Sequence, residues 1–167
     1  ELKLTYAAPT GQEEQMQPAI LLQDALAQIG VELEIKTMPF TEIARLTASG
    51  PENTPDIMTL INTPKGIDPG VGMLETFFHS KNAGGPSNWG HYKNPKVDEL
   101  LDQARATIDD SRNDLLREAQ QTIVSDVGAR FLAFPDKWSA LSTDIGGYWL
   151  SPIGIDRDPW YDMYWNQ

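Results

Sequence analysis

Two short runs bring side chains together that could do recognition chemistry. The first is NTPKGIDP over residues 62–69, which offers side-chain donors and acceptors on Asn62, Thr63 and Lys65 and open backbone at Gly66. The second is SNWGHY over residues 87–92, where the Trp89 indole and Tyr92 phenol stand beside Asn88 and His91. Rings with polar neighbours can stack on a sugar ring or an apolar side chain while fixing its polar groups. Each run also has a plainer reading. Lys65 can point into solvent, and Trp89 and Tyr92 can pack down on the helices that follow; Trp138 fits a core better than a site.

Other chemistries find little support. His79 and His91 are the chain's histidines, on different elements and without the spacing of a helical metal-ligand pair. Asp98 and Asp102 share one helix face, where a solvated surface or a complement to the helix dipole accounts for them. No paired carboxylates sit in a context suited to glycosidase work, and no Gly-x-Ser-x-Gly turn or glycine-rich phosphate loop occurs. The absence of cysteine removes thiol catalysis, disulfides and cysteine-ligated metal centres, and it suits an oxidising compartment without fixing one. A net charge of −11 and a pI near 4.5 disfavour nucleic acid and anionic membrane as partners. No run approaches the roughly 18 apolar residues of a membrane span.

These runs need elements to position them. Leu2, Leu4 and Tyr6 alternate with polar residues as a strand does, and a helix with Met16, Ala19, Ile20, Leu22, Leu26 and Ile29 inward should follow, stopping at Gly30. Val31, Leu33 and Ile35 predict a second strand, Thr41 caps a short helix ending near Gly50, and residues 56–61 predict a third strand apolar on both faces. Strand, long crossover, strand is the unit of a mainly parallel sheet with helices on its faces. A short helix over residues 71–78 follows, and Asp68-Pro69 suits its cap and turn. Asn94 and Pro95 then open a helix with Val97, Leu100, Leu101, Ala104 and Ile108 on one face. Asp109, Asp110 and Ser111 break it and start another, with Leu115, Leu116, Ala119, Ile123 and Val124 inward. Residues 131–134 and 138–141 predict strands split by Pro135, and the chain closes on Trp160, Tyr161, Tyr164 and Trp165.

The helix pair and the loop before it resemble the second lobe of the extracytoplasmic solute-binding proteins of peptide-type ABC importers (family 5), which bind peptides, opines, nickel chelates and some sugars. The resemblance is carried by Asn88, Tyr92, Asn94, Pro95, Val97, Asp98, Leu100 and Leu101, then Asp109, Arg112, Ala119 and Gln120. Gly30-Val31-Glu32-Leu33, Asp56-Ile57 and Asp68-Pro69 fall upstream in the matching order, so the likeness runs over roughly residues 4–134. It implies a three-layer α/β lobe of the type II periplasmic-binding-protein kind, with a mixed, mainly parallel sheet of about five strands and helices on both faces. Residues 1–167 are then one lobe, the C-terminal one, of a longer two-lobed protein. The strand-like start without a leader and the closing aromatics fit that expectation.

The implied function is transport rather than catalysis. A peptide-like or other small polar solute is captured between two lobes in the periplasm or another extracytoplasmic space and handed to a membrane permease, with no cofactor, metal or catalytic residue. Family members that bind free dipeptides commonly carry Gly-Trp and then an acid in the loop after the third strand. Here Ile61 and Asn62 stand at the first pair and Lys65 at the acid. That departure disfavours a free peptide amino terminus and favours a solute with a carboxylate, phosphate or sugar-acid group, or a polyol read by Asn62 and Thr63. Asn88, Trp89 and His91 complete the candidate site. Two other readings stay open: a ligand-binding sensor domain, and a hydrolase of a small polar metabolite.

Overall fold

The structure is a computed structural model that describes residues 2–61, 69–85, 87–133, 140–149 and 160–166. Its centre is a parallel sheet in the order β2-β1-β3, built from β1 (Leu2–Pro9), β2 (Val31–Met38) and β3 (Ile57–Met58). β1 and β2 pair along their whole length, from Leu2 opposite Val31 to Pro9 opposite Met38. Parallel neighbours need a crossover, and α1 (Glu13–Ala27) supplies it. Gly30 ends that crossover at a φ of 78°, and its N–H reaches the Ala27 carbonyl at 3.1 Å.

Because β1 is central, it is covered on both faces. Tyr6 and Ala8 point to the α1 side with Leu33 and Ala19, while Ala7 points to the opposite side with Ile43 of α2 (Phe40–Ala48). Helices therefore lie on both faces of the sheet, as expected. The inward stripe of α1 is narrower than its sequence suggests. Ala19, Met16, Leu22 and Leu26 face the sheet, but Ile20 sits about a third of a turn off that stripe and is exposed. Ile29 lies past the helix end and is exposed too. The centre of the stripe holds a polar residue instead, the buried Gln15.

α2 starts earlier than a cap at Thr41 requires. Pro39 fixes its own φ at −57° and ends the strand. Its carbonyl takes the N–H groups of Glu42 and Ile43 at 2.9 and 3.2 Å, which makes Phe40 the first helical residue. β3 is shorter than residues 56–61. Asp56 instead turns its carboxylate onto Thr5, accepting from the Thr5 backbone N–H at 2.7 Å and hydroxyl at 2.8 Å.

A second, all-helical core follows. Val71 of α3 (Pro69–Phe78) meets Val97, Leu100, Leu101 and Ala104 of α4 (Pro95–Ala106) and Leu116, Ala119 and Ile123 of α5 (Ser111–Ser125). Asn94 caps α4, its side-chain oxygen accepting from the N–H groups of Lys96 at 2.8 Å and Val97 at 3.4 Å, with Pro95 first in the helix. Ile108 and Val124 do not join this core. α4 stops at Ala106, so Ile108 has left the helix and is fully exposed, and Val124 lies on the outer flank of α5.

The expected sheet of about five strands is not one sheet. Among the described residues it has three parallel strands, and a separate antiparallel pair joins β4 (Ile145–Gly146) to β5 (Tyr164–Trp165). Residues 131–133 carry no strand, and Phe134, Pro135 and Trp138 lie outside the described residues. Trp160, Tyr161, Tyr164 and Trp165 are exposed.

The start of α4 is also tied to the end of α5. The Tyr92 hydroxyl and the Asn94 side-chain amide both donate to one oxygen of Asp126, each at 2.6 Å. Those bonds, the phenol's first, hold the Asp126 carboxyl below its ordinary value, while burial and then the neighbouring carboxylate push the Tyr92 phenol up. Asn94→Ala should cost about 1 kcal/mol or somewhat more in urea unfolding, since a cap and a tie are lost together, with Asn94→Ser recovering part of it. A carboxyl held low contributes stability at neutral pH that is lost as pH falls through its folded value. The stability gap between wild type and Asp126→Asn should therefore shrink from about pH 7 to about pH 3, and a gap that stays constant with pH would contradict the tie.

Candidate functional site

Open α/β sheets bind ligands beyond the carboxyl ends of their strands. Three exits meet at that edge here. β1 leaves through Thr10, Gly11 and Gln12, with Gly11 at a φ of 80° and the Thr10 N–H bonded to the Met38 carbonyl at 2.9 Å. β2 leaves through Pro39 into Phe40, and β3 through Thr59, Leu60 and Ile61. The Tyr6 phenol fastens two of these exits. It donates to the Gln15 carbonyl at 3.0 Å and makes a close hydrogen bond with the Thr59 hydroxyl. Burial pushes that phenol up, so it stays protonated and keeps its donor.

Asn62, Thr63 and Lys65, expected at this edge, lie outside the described residues, as does Asp68. The residues around them carry the observable surface. Phe40 is 48 % exposed and Ile61 is 39 % exposed, so the edge is apolar as well as polar. Gln15, in the first turn of α1, is buried, and its Oε1 has no hydrogen-bond partner.

The loop at residues 87–92 is placed differently from the sequence expectation. Asn88 is 1 % exposed and spends its amide inside the loop. Its Nδ2 donates to the Tyr92 carbonyl at 2.9 Å and the His79 carbonyl at 3.3 Å, and its Oδ1 accepts from the Tyr92 N–H at 2.9 Å. Trp89 is 3 % exposed and packs neither on a ligand surface nor on the helix pair. It enters the sheet's α2-side core with Ala7 and Ile43, and its ring lies 4.9 Å from Phe40, tilted by 55°. Its indole N–H is buried without an acceptor. Tyr92 does face the helices, edge-on to Phe78 at 5.8 Å. His91 adopts a φ of +52° and places Nε2 3.1 Å from the Thr54 hydroxyl, joining the loop to the segment before β3. Gly84 must be glycine there, because a Cβ would meet the His91 ring at 2.8 Å and its own φ is +74°.

A charged cluster lies on the α3–α4 side. The nearly buried Glu75 carboxylate is paired with Lys81 and Arg105. His79 sits between Asp98 at 3.3 Å and Asp102 at 3.5 Å, and its Nδ1 accepts from the Lys81 N–H at 3.2 Å. Asp98 is therefore not simply a solvated helix residue, since it also accepts the Ser80 N–H at 2.8 Å. Among the described residues, no group of three or more His, Cys, Asp or Glu could hold a metal ion. Among them, too, no helix is long and apolar enough to cross a membrane.

No protein-family model matches the chain. A curated relative, Protein XP55 from Streptomyces lividans, is 39 % identical over 89 residues, which is 48 % of this chain and 16 % of that protein. Solved structures match far more of the chain. The oligopeptide-binding protein AppA from Bacillus subtilis, in complex with a nonapeptide, superposes over 99 % of this chain and 32 % of its own, with a TM-score of 0.77 and 20 % identity. The periplasmic binding protein DppA from Helicobacter pylori, in complex with the peptide STSA, covers 99 % and 31 % with a TM-score of 0.73 and 22 % identity. A nickel ABC transporter structure from Bacillus halodurans covers 76 % and 26 % with a TM-score of 0.63 and 26 % identity. This chain thus spans about a third of the length of the peptide-binding structures it matches. The chain shares its fold with part of each of these binding-protein structures.

Proposed function

We propose that the chain is one lobe of the substrate-binding component of an ABC importer. It captures a peptide-like or other small polar solute outside the cytoplasm and presents it to a membrane permease. The observation that carries the reading is the superposition of 99 % of the chain on 32 % of a peptide-binding protein. The rest of such a polypeptide supplies the opposing wall of the cleft. Solute enters between the walls, a hinge closes, and exclusion of water strengthens the polar contacts. No bond is made or broken, and the reading assigns no catalytic residue.

The solute contacts follow from the carboxyl edge. Lys65, with Asn62 and Thr63, is the proposed polar reader, and its ammonium selects a carboxylate, phosphate or sugar acid over a free amine. His91 borders the same sheet through Thr54. Asn88 and Trp89 act from beneath, as supports of the loop, because neither offers surface to a solute.

A single wall encloses too little of a small ligand for tight capture. The 167 residues alone should bind weakly or undetectably, and the intact protein with affinities on the order of nanomolar to micromolar. Thermal-shift and calorimetric screening of the intact protein against N-acylated peptides, opines, sugar acids and metal chelates tests this. Binding in none of these classes would overturn the reading. Lys65→Ala should weaken an anionic solute about tenfold or more and leave neutral solutes unchanged, whereas unchanged affinity for every solute removes Lys65 from the site.

A further inference from the structure

Among the described residues, β2 forms one margin of the parallel sheet, and no strand pairs with its outer side. It is eight residues long and runs against β1 without a bulge from Val31 to Met38. A margin of this kind is a template for another strand, and proteins commonly blunt it by shortening, bulges, proline or lysine. Here Pro39 closes only the end.

Alternation decides which backbone groups the outer side offers. The Met38 carbonyl accepts from the Thr10 N–H at 2.9 Å, so Met38 and every second residue before it turn N–H and C=O toward β1. Val31, Leu33, Ile35 and Thr37 turn theirs outward. The Leu33 carbonyl there accepts the Gln23 side-chain amide at 2.6 Å, which occupies one of its two lone pairs.

The strand's α2-side face carries Glu32, Glu34 and Lys36. Glu32 is taken by Lys3 of β1 at 2.7 Å. Glu34 and Lys36 meet at 3.4 Å, with side chains 62 % and 47 % exposed, and an ion pair so exposed contributes little within one chain. Its order along the strand does more, because it is complementary to itself reversed. When two β2 strands are set antiparallel and centred on Ile35, Glu34 of each lies opposite Lys36 of the other. Ile35 then meets its own copy through outward backbone groups. The Glu–Lys pairs therefore fall at the non-hydrogen-bonded positions, where side chains come closest. Moving the centre to Glu34 sets glutamate against glutamate, and moving it to Lys36 sets lysine against lysine. The charges select one register.

We propose that the outer side of β2 is an interface for a second copy of this chain, joined antiparallel about a two-fold axis at Ile35 so that the two sheets become one. Both copies use the same patch, so the contact closes as a dimer and does not propagate. It requires no solute, and it stands or falls apart from the binding-protein reading.

Sedimentation velocity of the intact protein, from about 1 to about 200 μM, tests this, and wild type should show a monomer–dimer equilibrium with a Kd on the order of 10 μM. Glu34→Lys sets lysine against Lys36 on both sides of the axis, and Lys36→Glu sets glutamate against Glu34; each should weaken self-association about tenfold or more. The double variant Glu34→Lys/Lys36→Glu should dimerise as wild type does. An equimolar mixture of the two single variants should form heterodimers more tightly than either associates alone, because opposite charges again meet at both positions. Thr37→Pro removes an outward N–H and leaves the β1 ladder intact, so it should be monomeric with an unchanged circular dichroism spectrum. The charge reversals, made on exposed side chains, decide the matter if that variant does not fold. A wild type that stays monomeric throughout would overturn the proposal, whether another part of the polypeptide or water covers the strand. Dimers that survive both single reversals, single variants that do not recover on mixing, or a folded Thr37→Pro that dimerises as wild type does would also overturn it.

Discussion

Insertion of Trp89 into the sheet is the contact on which the described structure turns. The described elements pack in two sets: β1 with β2, β3, α1 and α2, and α3 with α4 and α5. The loop that leaves α3 and returns to α4 begins and ends in the helical set, yet it drives an indole into the core between Ala7 and Ile43. Burying a tryptophan removes a large apolar area from water, which favours joining the two sets strongly. A loop that plunges inward also buries backbone polar groups, and that would be costly if they were unpaired. Asn88 meets this cost by imitating a backbone partner for Tyr92 and His79, and His91 adds a second tie to Thr54. The apolar anchor and the amide staple are adjacent in sequence because each needs the other.

That clasp has a consequence for the site. The β1 and β3 exits are bound to one another through Tyr6, Gln15 and Thr59, and the Thr10 N–H bonds the β1 exit to the Met38 carbonyl of β2. Trp89 then brings the helical set up to the same edge and presses on Phe40, so the edge is organised before any solute arrives. A preorganised wall lowers the ordering cost of capture. On the proposed reading, the remaining motion is closure of the opposing wall, a rigid-body step rather than rearrangement within this lobe.

Much of this was legible in the residues, for local reasons. Asn94-Pro95 specifies a helix start by hydrogen bonding and a fixed φ, and the structure places it there. Alternation in β1 and β2, with a glycine after the crossover, specifies parallel strands, and these too are present. What sequence reading missed depends on tertiary placement. Periodicity continued past the end of α4 and so enrolled Ile108 in a core it does not reach. Gln15 lies at the centre of a buried stripe, a position that apolarity alone cannot signal. Trp89 goes to the sheet rather than the adjacent helices because of a turn that only the folded loop defines. Phe40 was hidden by the expectation of a cap at Thr41, although Pro39 was the available clue to the earlier start. Asn62, Thr63 and Lys65, the proposed polar readers, lie outside the described residues.

The central claim is that solute is held at the carboxyl edge of this sheet. Hydrogen–deuterium exchange of the intact protein, with and without a solute that stabilises it, tests that claim most directly. The account predicts protection on binding in residues 9–12, 38–42 and 59–66, with little change on the outer faces of α4 and α5. Protection confined to those outer faces, with the three exits unchanged, would contradict it.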